Sequence, residues 1–446
     1  MTPAADLKRS FAPHTLVLGL GETGRSLVAY LGRDNERLRL ADSRPDVSGI
    51  DSLDARHDIV LGAFDASLLN GIDTLYVSPG IAPHEPVLVA AEARGLRAAS
   101  DVDLFVAANT RPVIAVTGTN GKSTVVSLVT ALLSAGGVDA VAGGNLGTPV
   151  LALLDAPGDV VVLELSSFQL ARTAHLGART AVVLNVTDDH LDWHGTARAY
   201  RDAKRHILDG AGRVVINRDE PYVATDSDVP STSYGRDRPA ACHYGVIEAD
   251  GQAWLARGDD RVLPVAELYS PLAHEVDNAL AALALIDDFD LPRAPVTAVL
   301  RNFEPLPHRA RLTASVAGVR YIDDSKATNP GAAYASLESV TTPIVWIAGG
   351  DAKGADLSPL ATVAAGKVHA AVLLGRAADE LETLLVNEVP VIRRAASMRE
   401  AVSLAAAQAA PGDTVLLSPA CASLDMFRDY RDRGQQFAAA VAELEQ

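Results

Sequence analysis

The sequence predicts an α/β protein of three domains, each built on a largely parallel sheet. Two observations carry the prediction. Short β-branched runs followed by Gly-containing turns and Ala/Leu-rich helical stretches recur from end to end, which is the pattern of α/β units. The 446 residues, at roughly 150 per domain, hold about three such units. The Pro-rich segment from Phe303 to Arg309 reads as a linker, because neither proline suits a helix interior or a central strand. The expected division is 1–100, 101–306 and 307–446.

The first block opens with a strand from Thr15 to Leu20, runs through an Ala/Leu helix to a strand from Leu38 to Asp42, and includes Thr74 to Gly80. The second starts near Asp101, with strands expected from Pro112 to Gly118, Asp159 to Leu165 and Thr180 to Val186, and a helical stretch from Val125 to Leu133. Its later part, about Asp226 to Arg261, is rich in Asp, Gly, Arg and Pro and reads as a small β appendage or irregular excursion. Strands in the third block are expected from Val319 to Asp323, Pro343 to Ala348, Ala370 to Leu374 and Thr414 to Ser418. No repeat at solenoid or propeller periods interrupts this order.

Composition narrows the function. With 39 Lys and Arg against 56 Asp and Glu, the formal charge of −17 argues against a general nucleic-acid or anionic-membrane binder, so an anionic ligand must be held by local groups. Hydrophobic residues make up 48%, which excludes a disordered chain. Two cysteines, Cys242 and Cys421, cannot form a disulfide framework and suit a reducing compartment. No apolar run approaches the ~20 residues of a membrane helix, and no export signal stands at the N-terminus. A cytoplasmic protein is expected.

Chemistry is sought at the turns beyond the carboxyl ends of the strands. Gly118-Thr-Asn-Gly-Lys-Ser-Thr124 follows a buried-type strand and precedes a helix, which makes a phosphate loop. Successive N–H groups and a helix N-terminus cradle phosphates, Lys122 balances their charge, and a hydroxyl of Ser123 or Thr124 can hold Mg²⁺. The first Gly is two residues from the Gly-Lys pair rather than the usual four. Glu164, ending the next apolar strand, stands where such enzymes place an acid for Mg²⁺. His190, beside Asp188 and Asp189, reads equally as a metal ligand or a surface turn. Gly19-Leu-Gly-Glu-Thr-Gly24, with Asp42 eighteen residues on, matches a dinucleotide fingerprint and suits any ribose diphosphate, NAD or a nucleotide sugar alike. Three clusters at strand ends of the third block, Asp323 to Pro330, Gly349 to Lys353 and Ser418 to Asp425, are too dense in small and charged residues for packing turns. Cys421 within the last reads as a buried small hydrophobe, since no neighbouring histidine activates it.

Together these residues resemble the Mur ligase family, the ATP-dependent amide ligases of bacterial cell-wall precursor synthesis. Thr117 to Thr124 is similar to the family's ATP loop, Asn145 in Gly143-Gly-Asn-Leu-Gly147 to its central-domain asparagine, and His308-Arg309 to its junction arginine. Ser78 to Ile81, Asp324 to Asn329 and Ser418 to Asp425 resemble, within the family, the member that joins D-glutamate to UDP-N-acetylmuramoyl-L-alanine. The resemblance implies Rossmann-like N- and C-terminal domains around a central P-loop domain. It implies an ATP site of Gly118, Thr119, Asn120, Gly121, Lys122, Ser123, Thr124, Asn278, Arg309 and Asp324. Two Mg²⁺ ions would be held by Ser123, Glu164, His190 and a carbamylated Lys204, which the bare sequence reads as a solvated helix charge. It assigns Gly21, Glu22, Thr23, Gly24, Asp42, Ser43, Arg44, Gly80 and Asn145 to the uridine nucleotide, and Thr328, Lys353, Ser423 and Tyr430 to D-glutamate. Lys122, Lys204, His190 and Asp189 are the implied catalytic groups, with His190 or Asp189 as the base, in a monomer. Two departures stand out: His274-Glu275 where the family usually has His-Asn at the adenine, and Tyr430 where an aromatic without a hydroxyl is common. Two readings outside the family remain open at the level of residues: a nicotinamide-dependent dehydrogenase using Gly19 to Gly24, and a P-loop switch ATPase.

Overall fold

The computed structural model describes residues 14–444 except 35, 48, 51, 52, 54, 146, 188, 221–228 and 305. Among them lie three sheets, one after another along the chain.

The first sheet comprises β1 (Thr15–Leu18), β2 (Leu38–Asp42), β3 (Asp58–Leu61), β4 (Thr74–Val77) and β5 (Ala98–Ala99). Its order is β3-β2-β1-β4-β5 and every pair is parallel. Strand order reverses beside β1, so the glycine turn after it sits at the switch point where open α/β sheets bind ligands. A side chain at Gly24 would put its Cβ 1.8 Å from the Gly19 carbonyl oxygen, so the helix Glu22–Leu31 lies this close to the strand end only because residue 24 is glycine.

The second sheet comprises β6 (Val113–Thr117), β7 (Ala140–Gly144), β8 (Val160–Glu164), β9 (Thr180–Val183), β10 (Arg213–Asn217), β11 (Ser231–Tyr234), β12 (Tyr244–Ala249), β13 (Gln252–Arg257) and β14 (Asp260–Pro264). Its order is β14-β13-β12-β11-β10-β9-β6-β8-β7. β6, β8 and β9 are buried along their whole length, as expected of central parallel strands covered on both faces. The expected excursion after Asp226 is not a separate appendage. β11 continues the sheet in parallel and β12 to β14 add antiparallel hairpins to its edge, with Asp226 itself outside the described residues. The helix expected from Val125 to Leu133 runs Lys122–Ala135 and packs with the Ala-rich helix Ala273–Leu285 on one face of the sheet.

The third sheet comprises β15 (Arg311–Val316), β16 (Val319–Asp323), β17 (Ile344–Gly349), β18 (Val368–Leu374), β19 (Val391–Arg394) and β20 (Thr414–Leu417), in the order β15-β16-β20-β17-β18-β19. β15 pairs antiparallel with β16 and the rest are parallel. β16, β20 and β17 are neighbours, so the three polar clusters of the sequence emerge side by side. Among the strands that pattern reading passed over, β7 is Ala-Val-Ala-Gly-Gly and β19 is only Val-Ile before two arginines, so neither shows a sustained β-branched run.

Candidate active site

Three adjacent strands, β8, β6 and β9, end at Glu164, at the phosphate loop and at the Asn185-to-His190 turn. Gly121 adopts φ +83°, and a Cβ there would lie 2.6 Å from Asn278 Oδ1. Glycine therefore both makes the turn and lets Asn278 approach the loop. Asn185 braces the loop by accepting the Asn120 N–H at 2.8 Å on its side chain and the Thr119 N–H at 2.9 Å on its carbonyl.

Two lysines converge here. The Nζ atoms of Lys122 and Lys204 each donate to the Gly118 carbonyl oxygen at 2.7 Å, and Lys122 also to that of Thr119 at 2.8 Å. Lys204 is not the solvated charge its helix suggests, being only 2% exposed. Tyr200, Ala203 and Lys204 form the inward face of the helix Ala197–Arg205. The Tyr200 ring lies 4.6 Å from Lys204 Nζ, and its hydroxyl meets Thr119 Oγ1 at 2.9 Å. Burial drives the Lys204 pKa well below the ordinary lysine value, and the Lys122 charge drives it further. Burial lowers Lys122 too, with Glu164 opposing.

Glu164 is buried. Its Oε1 accepts from Asn145 Nδ2 at 2.7 Å, while Oε2 has no hydrogen-bond partner. A buried carboxylate oxygen left without a donor, beside two lysines and the buried hydroxyl of Ser123, fits a divalent cation. Among the described residues no three His, Cys, Asp or Glu side chains cluster as a metal site. His190 caps the short helix Leu191–His194 in the left-handed conformation at φ +54°. Its ring stands edge-on to Phe168 at 4.6 Å, and its Nε2 is 3.6 Å from Asp189 Oδ2. Asp188 lies outside the described residues.

One cavity opens on the phosphate loop. Asn120, Gly121, Thr124, Asn278, Arg309 and Asp324 line it, with Glu275 and Lys326. Gly118, Thr119, Lys122 and Ser123 belong to the same loop and first helical turn. Asp324 accepts from the Ala310 N–H and from the hydroxyls of Ser336 and Ser418, and burial raises its pKa to about 6. Glu275 is buried and its Oε2 accepts from Tyr269 Oη at 2.6 Å and Asn278 Nδ2 at 2.9 Å. That carboxylate holds Asn278 in place. Lys326 was not singled out by the sequence, since nothing in its local pattern separates it from its neighbours. Its Nζ lies 4.0 Å from the Tyr430 ring centroid, and burial lowers its pKa to about 8, with the Arg309 charge adding.

A second cavity is lined by Gly21, Glu22, Thr23, Asp42, Ser43, Arg44, Gly80 and Asn145, joined by Phe168 and Gln169 from the central domain. Gly24 does not line it but lies buried beneath. Asp42 Oδ2 accepts the Leu20 N–H at 2.7 Å, and both its oxygens accept from the Arg44 guanidinium at 2.8 Å. That guanidinium leads the effects that hold the Asp42 carboxyl at about 2.

The third-domain clusters are stitched by Arg433, which sequence reasoning missed. Its buried guanidinium donates to Ser325 Oγ at 3.0 Å, the Ser325 carbonyl at 2.8 Å and the Cys421 carbonyl at 3.0 Å. Ser325 in turn donates to the Tyr430 carbonyl at 2.8 Å, which brings the Thr328 loop to the start of the helix Tyr430–Glu443. Asp351 pairs with Ala422 across a short bridge that sets the Lys353 and Ser423 loops side by side. Lys353 is exposed, at φ +50°, and Ser423 is buried. Cys421 is fully buried and its thiol is pushed up to about 12, as the hydrophobe reading expects. Asn329, capping the helix Pro330–Ser339, reaches back to the central domain, donating to Asn120 Oδ1 at 3.1 Å and Asp189 Oδ2 at 3.3 Å.

Family models match in the same order along the chain: the Mur ligase MurD-like N-terminal domain over residues 13–100, the Mur ligase middle domain over 116–286, and the Mur ligase glutamate ligase domain over 308–421. The chain belongs to the Mur ligase family. Mur ligases are ATP-dependent ligases that use Mg²⁺, which sets aside the dehydrogenase and switch readings. Proteins named UDP-N-acetylmuramoylalanine--D-glutamate ligase are similar to it over nearly their whole length. That of Marinobacter nauticus is 44% identical, covering 96% of this chain and 97% of that protein, and that of Nitrosococcus oceani is 44% identical over 98% of both. Among solved structures, the UDP-N-acetylmuramate-alanine ligase of Thermotoga maritima shares the fold with a TM-score of 0.63 at 18% identity, covering 97% of this chain and 100% of that one. A pseudomurein peptide ligase type C from Methanothermus fervidus shares it at 0.62 and 18%, with the same coverage.

Proposed function

We propose that this chain joins D-glutamate to UDP-N-acetylmuramoyl-L-alanine, spending ATP to ADP and phosphate, in the synthesis of peptidoglycan precursors. The observation that carries the reading is the pair of cavities with the phosphate loop between them: a glycine-turn cavity suited to a nucleotide diphosphate, whose wall residue Asn145 donates to Glu164, and a cavity on a phosphate loop whose Gly118 carbonyl accepts from both Lys122 and Lys204. The near-full-length likeness to D-glutamate ligases supports the choice of substrates.

A carboxylate cannot condense with an amine until one oxygen becomes a leaving group. The L-alanyl carboxylate attacks the γ-phosphorus of ATP, ADP leaves, and an acyl phosphate results. The amine of D-glutamate then attacks the acyl carbon, loses a proton and releases phosphate. Attack brings anions together, so Lys122 and Arg309 offset their repulsion while the loop N–H groups hold the phosphates. Two Mg²⁺ ions held by Ser123, Glu164, His190 and Lys204 would supply further screening and polarise the γ-phosphate.

Lys204 serves that role as a carbamate. Burial and the neighbouring Lys122 charge lower its pKa, which favours the neutral, nucleophilic amine. Attack on CO₂ forms the N–C bond, releases one proton and leaves a carboxylate beside Lys122. Gly21, Glu22, Thr23, Asp42, Ser43, Arg44, Gly80 and Asn145 form the uridine-nucleotide site, with Gly24 packed beneath it. Gly118 to Thr124, Asn278, Arg309, Asp324 and Lys326 take ATP. Thr328, Lys353, Ser423 and Tyr430 take D-glutamate. Asp189 or His190 accepts the amine proton. The domains divide at 1–100, 101–306 and 307–446, in a cytoplasmic monomer; no helix among the described residues is long and apolar enough to cross a membrane.

Phosphate release tests the reading. It should require UDP-N-acetylmuramoyl-L-alanine and D-glutamate together, and equal turnover with L-glutamate would overturn the assigned amino acid. Release without either acceptor would point to the switch ATPase instead.

A further inference from the structure

We propose that Asn145 is a positioning residue that fixes the carboxylate of Glu164, so that one amide joins the uridine-nucleotide cavity to the metal-holding site. The inference rests on Glu164 being a metal ligand. Asn145 grips Glu164 twice, its backbone N–H donating to the Glu164 carbonyl at 2.8 Å and its side-chain Nδ2 to Oε1 at 2.7 Å. The approach is built in by its neighbour. Gly144 has φ +104°, and a Cβ there would lie 2.3 Å from the Glu164 carbonyl oxygen, so only glycine brings the two strand ends this close.

Among the described residues no other side chain donates to either Glu164 oxygen. A carboxylate held by one donor on Oε1 keeps Oε2 aimed at a single place. Without that donor the buried group rotates about its last torsion and its ligand atom is spread over several positions. Groups that orient a metal ligand in this way typically govern metal affinity by 10- to 100-fold, roughly. Asn145 is itself exposed on the wall of the uridine-nucleotide cavity, beside Gly80 and Phe168. Because its N–H₂ faces Glu164, the planar amide turns its carbonyl oxygen away, where an occupant of that cavity can donate to it. Filling the substrate cavity thus also fixes the metal ligand.

The test measures ADP binding to the full-length protein by calorimetry, with saturating Mg²⁺ and with EDTA, and reads the gain in affinity that Mg²⁺ confers. Asn145→Leu should reduce this gain about tenfold, leave binding in EDTA unchanged, and have no further effect in a Glu164→Gln background. Asn145→Ala should repeat the result. An unchanged gain in Asn145→Leu, with Glu164→Gln impaired, would overturn the positioning role and spare the ligand assignment. Equal losses from Asn145→Leu in both backgrounds would show that it acts on the fold and not through Glu164. An unchanged gain in Glu164→Gln would remove the ligand assignment and this inference with it.

Discussion

The two junctions of the chain are built from opposite materials. Between the first and second domains the packing is apolar: Leu27 and Val28 of the first share one buried cluster with Val102, Phe105, Val150, Leu151 and Leu153 of the second. Ile81 extends that junction by accepting from the buried Arg172 guanidinium through its carbonyl. Between the second and third domains the contact is polar, through Asn329 on Asn120 and Asp189. The two apolar clusters of the third domain draw only on its own residues. Apolar burial is strong and non-directional, whereas a few hydrogen bonds are individually weak. The uridine-nucleotide cavity therefore lies at the apolar junction, and the nucleotide cavity at the polar one.

The largest expected effect lies at the apolar junction. Phe105→Ala should cost about 3–5 kcal/mol and, in calorimetry, lower a single transition shared by the first two domains while leaving that of the third in place. Separate shifts of the first and second domains would break the comparison. Next comes the chemistry at the phosphate loop. Lys204→Ala should lower kcat by about 100-fold or more, with partial recovery on adding short carboxylates, and retained activity would show that the lysine is no ligand.

At the polar junction, Asn329→Ala removes two donor contacts of about 1 kcal/mol each. The expected loss is about tenfold in kcat/KM for D-glutamate, with binding of the uridine nucleotide untouched. The smallest effect is a pH dependence. Lys326, lowered to about 8 by burial, is charged at pH 7 and loses its proton above about 8. Raising the pH to 9 should weaken ATP binding a few-fold, roughly, and Lys326→Arg should flatten the profile.

What the sequence made legible was whatever depends on local backbone. The glycine turns after β1 and β6, the acid ending β8 and the polar clusters after β16, β17 and β20 all sit where strand-end reasoning puts them, because a turn needs its glycines wherever it occurs. Lys204 was hidden because its helix reads Arg, Arg, Asp, Lys, Arg, a solvated face. The available signal was spacing: Tyr200, Ala203, Lys204 and Ile207 recur at i, i+3, i+4 and i+7, placing the lysine on a core-facing stripe. Arg433 and Lys326 offered no such signal. Arg433 meets Ser325, and Lys326 meets Tyr430, over a hundred residues away in each case, and only the sheet order that sets β16, β20 and β17 side by side brings them together. Glu275 was seen as a departure from the family, but its hold on Asn278 through Oε2 became visible only once Tyr269 was found beside it.

The acyl phosphate can be tested by isotope. With ¹⁸O in the alanyl carboxylate of the uridine substrate, D-glutamate and Mg·ATP, the released phosphate should carry one ¹⁸O atom in mass spectrometry. Unlabelled phosphate formed alongside ligated product would contradict attack of that carboxylate on ATP.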